Sequence, residues 1–221
     1  MDPKAVTIQV SESIGTVSGL LITPENMKAL LVLAHGAGAG MEHSFMKKLS
    51  ELLADRSIGT LRYNFPFVEN GKKRPDVAPV AEKTTAAAML FASELFPDVP
   101  LFASGKSFGG RMSSHYLSKA SPPYIRGIIF YGFPLHAAGD PGITRAAHLG
   151  DIKVPMLFLQ GTRDALANLE LMREVCGSLK QSTLATFEGA DHSFKAGKKE
   201  FVSELANKTE TWVTSLLSGK S

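Results

Sequence analysis

Short apolar runs alternate along this chain with longer segments whose apolar residues recur every three or four positions. Runs such as Ala29-Leu30-Leu31-Val32-Leu33-Ala34 and Ile128-Ile129-Phe130-Tyr131 are apolar without alternation, the pattern of strands covered by helices on both faces. Strands are expected at about 5–11, 15–23, 29–35, 58–63, 99–104, 126–132, 154–160 and 183–188. The first two are linked through Ser13-Ile14-Gly15, too short a connection for a crossover helix, so they should form an antiparallel hairpin. The three-to-four spacing predicts helices at about 43–56, 79–96, 108–119, 165–179 and 198–217. In the second of these, Val80, Thr84, Ala87, Leu90, Phe91 and Leu95 are expected to form one buried face. The alternation as a whole predicts βα units around a mostly parallel sheet.

Neither an internal repeat nor a linker divides the 221 residues, so residues 1–221 are expected to form one domain. The stretch 133–151 lacks periodicity and contains Pro134, Gly139, Pro141, Gly142 and Gly150. It is too short to be a second domain. With 44% hydrophobic and 20% charged residues, the chain can bury a large core and is not disordered. A formal net charge of +3 is a mild excess, unlike the clustered basicity of nucleic-acid binders. Lys72-Lys73-Arg74 and the stretch from Lys195 to Lys199 are read first as solvated. The single cysteine, Cys176, excludes an intrachain disulfide and is expected to be a buried helix residue. No apolar run reaches the roughly 18 residues of a membrane span, and the N-terminus lacks a signal-peptide pattern; a cytoplasmic protein without a membrane partner is expected.

Against this background one segment stands out: Gly105-Lys106-Ser107-Phe108-Gly109 lies between an expected strand and an expected helix. That context turns a short Gly-x-Ser-x-Gly match into a nucleophile elbow, whose small residues let strand and helix backbones approach. The alternative is a serine capping an ordinary helix. A serine nucleophile needs a base, and His192, in the loop after the last strand, is the candidate; activity should then fall as its imidazole is protonated. His35, His43, His115, His136 and His148 are read as packing or surface residues. Asp164, after the seventh strand, is favoured over Asp191 as the carboxylate behind His192, because adjacent loop residues usually point apart. The oxyanion donors are assigned to the N–H groups of Phe108 and Ala37, with Gly36 and Gly38 beside Ala37. No Gly-Lys-Ser/Thr ending marks the latter loop as phosphate-binding.

The motifs His35-Gly36-Ala37-Gly38, Arg62-Tyr63-Asn64-Phe65-Pro66, Gly105 to Arg111, Gly161-Thr162-Arg163-Asp164 and Asp191-His192-Ser193-Phe194 resemble the α/β-hydrolase superfamily. Within it the chain is similar to dienelactone-hydrolase-like proteins and to the small hydrolase-like family that includes testis-expressed and NSL-complex-subunit proteins. The resemblance implies an α/β-hydrolase fold with about eight strands and acyl transfer through a serine ester; no cofactor or metal is expected. Dienelactone hydrolases use a cysteine nucleophile where this chain has Ser107. Family members often carry a lid between the sixth and seventh strands; here the short stretch 133–151 leaves no room for a large cap, and an open, shallow site is expected. Lys106 and Lys72-Lys73-Arg74 are candidates for attracting an anionic substrate, with a salt bridge as the alternative for Lys106. Phe65, in the loop 64–76, is expected to line the site. The reaction expected is hydrolysis of a small or exposed ester; a catalytically silent interaction scaffold and a peptidase are the alternatives.

Overall fold

The computed structural model describes residues 2–219. Its strands are β1 (Lys4–Ser11), β2 (Gly15–Ile22), β3 (Ala29–Ala34), β4 (Ile58–Tyr63), β5 (Leu101–Lys106), β6 (Ile125–Tyr131), β7 (Met156–Gly161) and β8 (Ser182–Phe187), followed by the two-residue β9 (Lys195–Ala196) and β10 (Lys199–Glu200). Helices are α1 (Ser44–Ala54), α2 (Pro66–Glu69), α3 (Ala78–Leu95), α4 (Phe108–Lys119), α5 (Leu169–Ser178) and α6 (Val202–Leu217). The first eight strands form one sheet in the order β1-β2-β4-β3-β5-β6-β7-β8. The β1–β2 hairpin joins the sheet by antiparallel pairing of β2 with β4, and from β4 to β8 every pair is parallel.

The unbroken apolar runs follow from this double cover. Along β3, Leu30, Val32 and Ala34 enter the core beneath α3, α4 and α5, whereas Ala29, Leu31 and Leu33 enter the core beneath α1 and α6. A strand that buries both faces cannot alternate apolar with polar residues. The pattern that marks these strands as central is thus a direct product of the fold, and the eight expected strands agree with those observed to within about two residues.

The buried face of α3 is Ala81, Thr84, Thr85, Ala88, Met89 and Ala92; of the expected set only Thr84 is on it, while Leu90 and Leu95 are 48% and 47% exposed. Small side chains face the core because they let this helix lie close against its neighbours, which turns the buried face about one position from the phase expected from the spacing. The helix expected from 165 starts at Leu169, where Asn168 caps it by accepting from Leu171 N–H at 3.1 Å. The helix expected from 198 starts at Val202, and the basic stretch before it folds as the β9–β10 hairpin. His43 is not inside α1 but at its N-cap, with Nδ1 accepting from Phe45 N–H at 3.3 Å. Within 133–151 a 3-10 helix forms at Thr144–Asp151, and no cap-sized insertion separates β6 from β7. Cys176 is buried in α5 as expected. Among the described residues no helix is long and apolar enough to cross a membrane.

Candidate active site

The turn between β5 and α4 places Ser107 at φ 50°, ψ −114°, a left-handed conformation rare for a residue with a side chain. The flanking glycines make this turn possible. A Cβ on Gly109 would lie 2.5 Å from Ala34 O, and one on Gly105 would run into the backbone of Gly109 and Gly110. Ser107 occupies the N-cap position of α4, yet its hydroxyl makes no capping bond. Instead Oγ lies 2.9 Å from Nε2 of His192. A serine kept for capping would have done the opposite.

His192 is delivered by the loop after β8, which turns through Gly189 at φ 73°. Its Nδ1 lies 2.7 Å from Oδ2 of Asp164, whose side chain is fully buried, while the imidazole is 25% exposed. With Nδ1–H directed at the carboxylate, Nε2 is left to accept the Ser107 proton. Asp191 is engaged elsewhere: its Oδ1 accepts from the N–H groups of Ser193 and Lys195 at 2.8 and 2.9 Å, shaping the loop. Asp164 also accepts from Leu166 N–H at 2.8 Å and from Gln160 Nε2 at 2.6 Å. Gln160 is wholly buried, and its Oε1 accepts from Phe133 N–H at 3.0 Å. Sequence reasoning passed over it; the available signal was a lone amide at the end of an otherwise apolar strand, four residues before the aspartate.

Beside the serine runs the loop after β3. A Cβ on Gly36 would be 3.9 Å from the Ser107 Cβ, so this backbone borders the hydroxyl directly. Ala37 N–H and Phe108 N–H, the latter in the open first turn of α4, donate to nothing among the described residues. His35 fastens the loop from below: Nδ1–H donates to Gly36 O at 2.8 Å and Nε2 accepts from Phe65 N–H at 3.1 Å. Full burial drives its pKa down to about 4, which keeps the ring neutral and able to accept.

Phe65, expected to line the site, is instead completely buried, packed edge-on against His35 at 5.0 Å and Phe108 at 5.3 Å, and it supports the loop after β3 from behind without reaching the site. Lys72, Lys73 and Arg74 are exposed and stand outside the cavity, because the chain after β4 turns beneath that loop. The cavity, about 630 Å³, opens over Ser107 and His192. Gly36, Ala37 and Gly38 form one edge, and the walls are Phe45 and Met46 of α1, Leu166, and Lys195 and Glu200 of the hairpin. Lys106 also lines it, and the alternative salt bridge is not formed: its ammonium donates to His192 O at 2.6 Å, with no carboxylate within ion-pair distance among the described residues. Of the other histidines, His43 caps α1 at the cavity rim, His136 accepts Asn168 N–H at 2.8 Å, and His115 stacks on His148 at 3.8 Å. Among the described residues no group of three or more His, Cys, Asp or Glu could hold a metal ion.

Residues 27–216 match the family described as alpha/beta hydrolase domain. Two Mycobacterium tuberculosis proteins, whose name proposes a phosphoribosyl transferase, are 25% identical over 206 residues, which is 90% of this chain and 44% of each of them. The chain therefore spans less than half the length of these curated relatives. The dienelactone hydrolase of Anabaena variabilis is similar with TM-score 0.77 and 15% identity over 97% of this chain and 98% of that one. A Xanthomonas campestris protein described as a serine hydrolase without lid has TM-score 0.71 and 17% identity over 99% and 94%. At these identities the likeness is one of fold.

Proposed function

The chain belongs to the alpha/beta hydrolase family, and on that premise we propose that it is a serine hydrolase that cleaves small or exposed esters, with Ser107, His192 and Asp164 as its catalytic triad. The observation that carries this reading is the unbroken hydrogen-bond chain from Ser107 Oγ through His192 to Asp164, at 2.9 and 2.7 Å. Ser107 Oγ attacks the ester carbonyl as its proton passes to His192 Nε2, and buried Asp164 stabilises the imidazolium that forms. The oxyanion develops against Phe108 N–H and Ala37 N–H, which have no partner to give up first among the described residues. The tetrahedral intermediate expels an alcohol, which takes the proton from His192. Water, deprotonated by the same imidazole, then releases the acid and restores Ser107.

A strained Ser107 supports the enzymatic reading over a silent scaffold, since nothing in the fold requires a side chain at φ 50°. We place the chain among the relatives without a lid, with its ester substrate held by α1 and the hairpin. A fluorophosphonate probe should label Ser107 in the wild type and leave Ser107→Ala unlabelled. A folded wild type that takes up no probe would overturn the assignment and favour the interaction scaffold.

A further inference from the structure

We propose that Lys106 is a positioning residue: its charged ammonium holds the backbone of His192 in register with Ser107, so hydrolysis requires Lys106 to be protonated. This rests on the reading of Ser107 and His192 as nucleophile and base.

The side chain leaves the end of β5 and reaches across the end of β6. A Cβ on Gly132 would lie 3.1 Å from the ammonium nitrogen and 3.5 Å from the His192 ring, so cation and imidazole flank the same glycine. The 2.6 Å bond to His192 O is a charge-assisted one. The rings of Phe194 and Phe45 stand 5.3 and 5.9 Å from the nitrogen and complete its surroundings. A methionine would fill this half-buried space without any desolvation cost. What it would not supply is a cation bonded to the peptide that carries the base.

The charged groups around Lys106 are all otherwise engaged. Asp164, after β7, is bonded to His192 and Gln160, and Asp191, after β8, holds two backbone N–H groups. Across the cavity Glu200 of β10 pairs at 3.0 Å with both Lys48 of α1 and Lys195 of β9, and His43 lies at the start of α1. With only a carbonyl and two ring faces in contact, burial lowers the pKa of Lys106 to about 8, against the opposing pull of Asp164 and Asp191. Below that value the ammonium clamps the carbonyl. Above it a neutral amine makes a weaker bond, and the imidazole loses its fixed place.

The experiment compares wild type, Lys106→Met and Lys106→Arg by the pH dependence of kcat and KM on p-nitrophenyl acetate, and by NMR of the His192 imidazole across the same range. Wild-type kcat should decline on the alkaline side with a midpoint near 8. Lys106→Met should lose roughly tenfold in kcat at neutral pH, with KM within about twofold, and show no such limb. Lys106→Arg, charged throughout, should keep activity and also lack the limb. The His192 ring signals should shift with the same midpoint in wild type only. An alkaline limb that persists in Lys106→Arg, or a Lys106→Met with wild-type kcat and unchanged His192 signals, would overturn the proposal. The NMR arm needs no turnover: a shift abolished in both variants, in a protein whose Ser107 takes no probe, would sink the hydrolase reading and leave the Lys106–His192 coupling standing. If Lys106→Met does not fold, Lys106→Arg decides alone.

Discussion

Replacing Gln160 with methionine removes two buried hydrogen bonds while nearly conserving side-chain volume. The amide bridges Phe133 N–H at 3.0 Å and the Asp164 carboxylate at 2.6 Å, and it has no solvent exposure. Phe133 N–H would be left without an acceptor, at about 1–3 kcal/mol, and a bond to a charged group would be lost, at about 1.5–3 kcal/mol. Since these figures overlap in one network, a combined loss of about 2–4 kcal/mol in unfolding free energy is expected from urea titration, with an unchanged m-value. Activity should fall as well, because one of the bonds that aim Asp164 at His192 is gone. At 1.36 kcal/mol per decade, the loss of one such bond corresponds to roughly ten- to hundredfold in kcat. The informative control is the Asp164→Asn background, in which the same replacement should cost little further activity but still destabilise. Wild-type stability and activity in Gln160→Met, or activity losses that simply multiply in the double variant, would refute the reasoning.

Two further outcomes follow from the backbone and from the buried imidazole. Ser107→Gly should be more stable than Ser107→Ala by about 1 kcal/mol in thermal or urea melts, since both lack the hydroxyl and only glycine relaxes φ 50°; equal stability would remove the strain argument. Between its ordinary value of 6.5 and about 4, His35 takes up a proton in the unfolded chain that the native protein refuses. Stability should therefore rise with pH through this window and be lost as pH falls toward 4, by roughly 3 kcal/mol from this residue, whereas a flat profile in urea titrations would contradict its neutral, accepting role.

The strands and the candidate triad were legible in the sequence for a common reason. In a doubly covered sheet the apolar runs stop where strands leave the core, and Ser107 and Asp164 follow such stops; His192 follows β8, a mixed edge strand, and was marked instead by its glycine-flanked loop. What depends on the direction of a side chain was not legible. Phe65 lies two residues beyond Tyr63 and continues its inward phase, so a residue near the site in sequence faces away from it. Residues 165–168 have the apolar spacing of a helix, yet Asp164 claims Leu166 N–H and postpones the helix to Leu169. The cavity walls were invisible because Phe45, Met46 and Glu200 meet Ser107 only after α1 and the β9–β10 hairpin have docked. Gln160 gave a signal, a polar residue ending an apolar strand, but a strand end is where polarity is ordinarily expected.

The hairpin that walls the cavity begins three residues after His192, within the loop that Asp191 shapes. On the proposed hydrolase reading, substrate choice and proton transfer are consequently written into one continuous stretch, 191–200, whereas the opposite wall on α1 is covalently remote from the base. The two walls should differ as targets for change. Exchanges on α1, at Phe45 or Met46, can reshape the pocket while the imidazole keeps its place. A graft of a foreign hairpin would alter specificity and rate together, so any lineage that broadened its substrates without slowing would be expected to have varied the α1 side first.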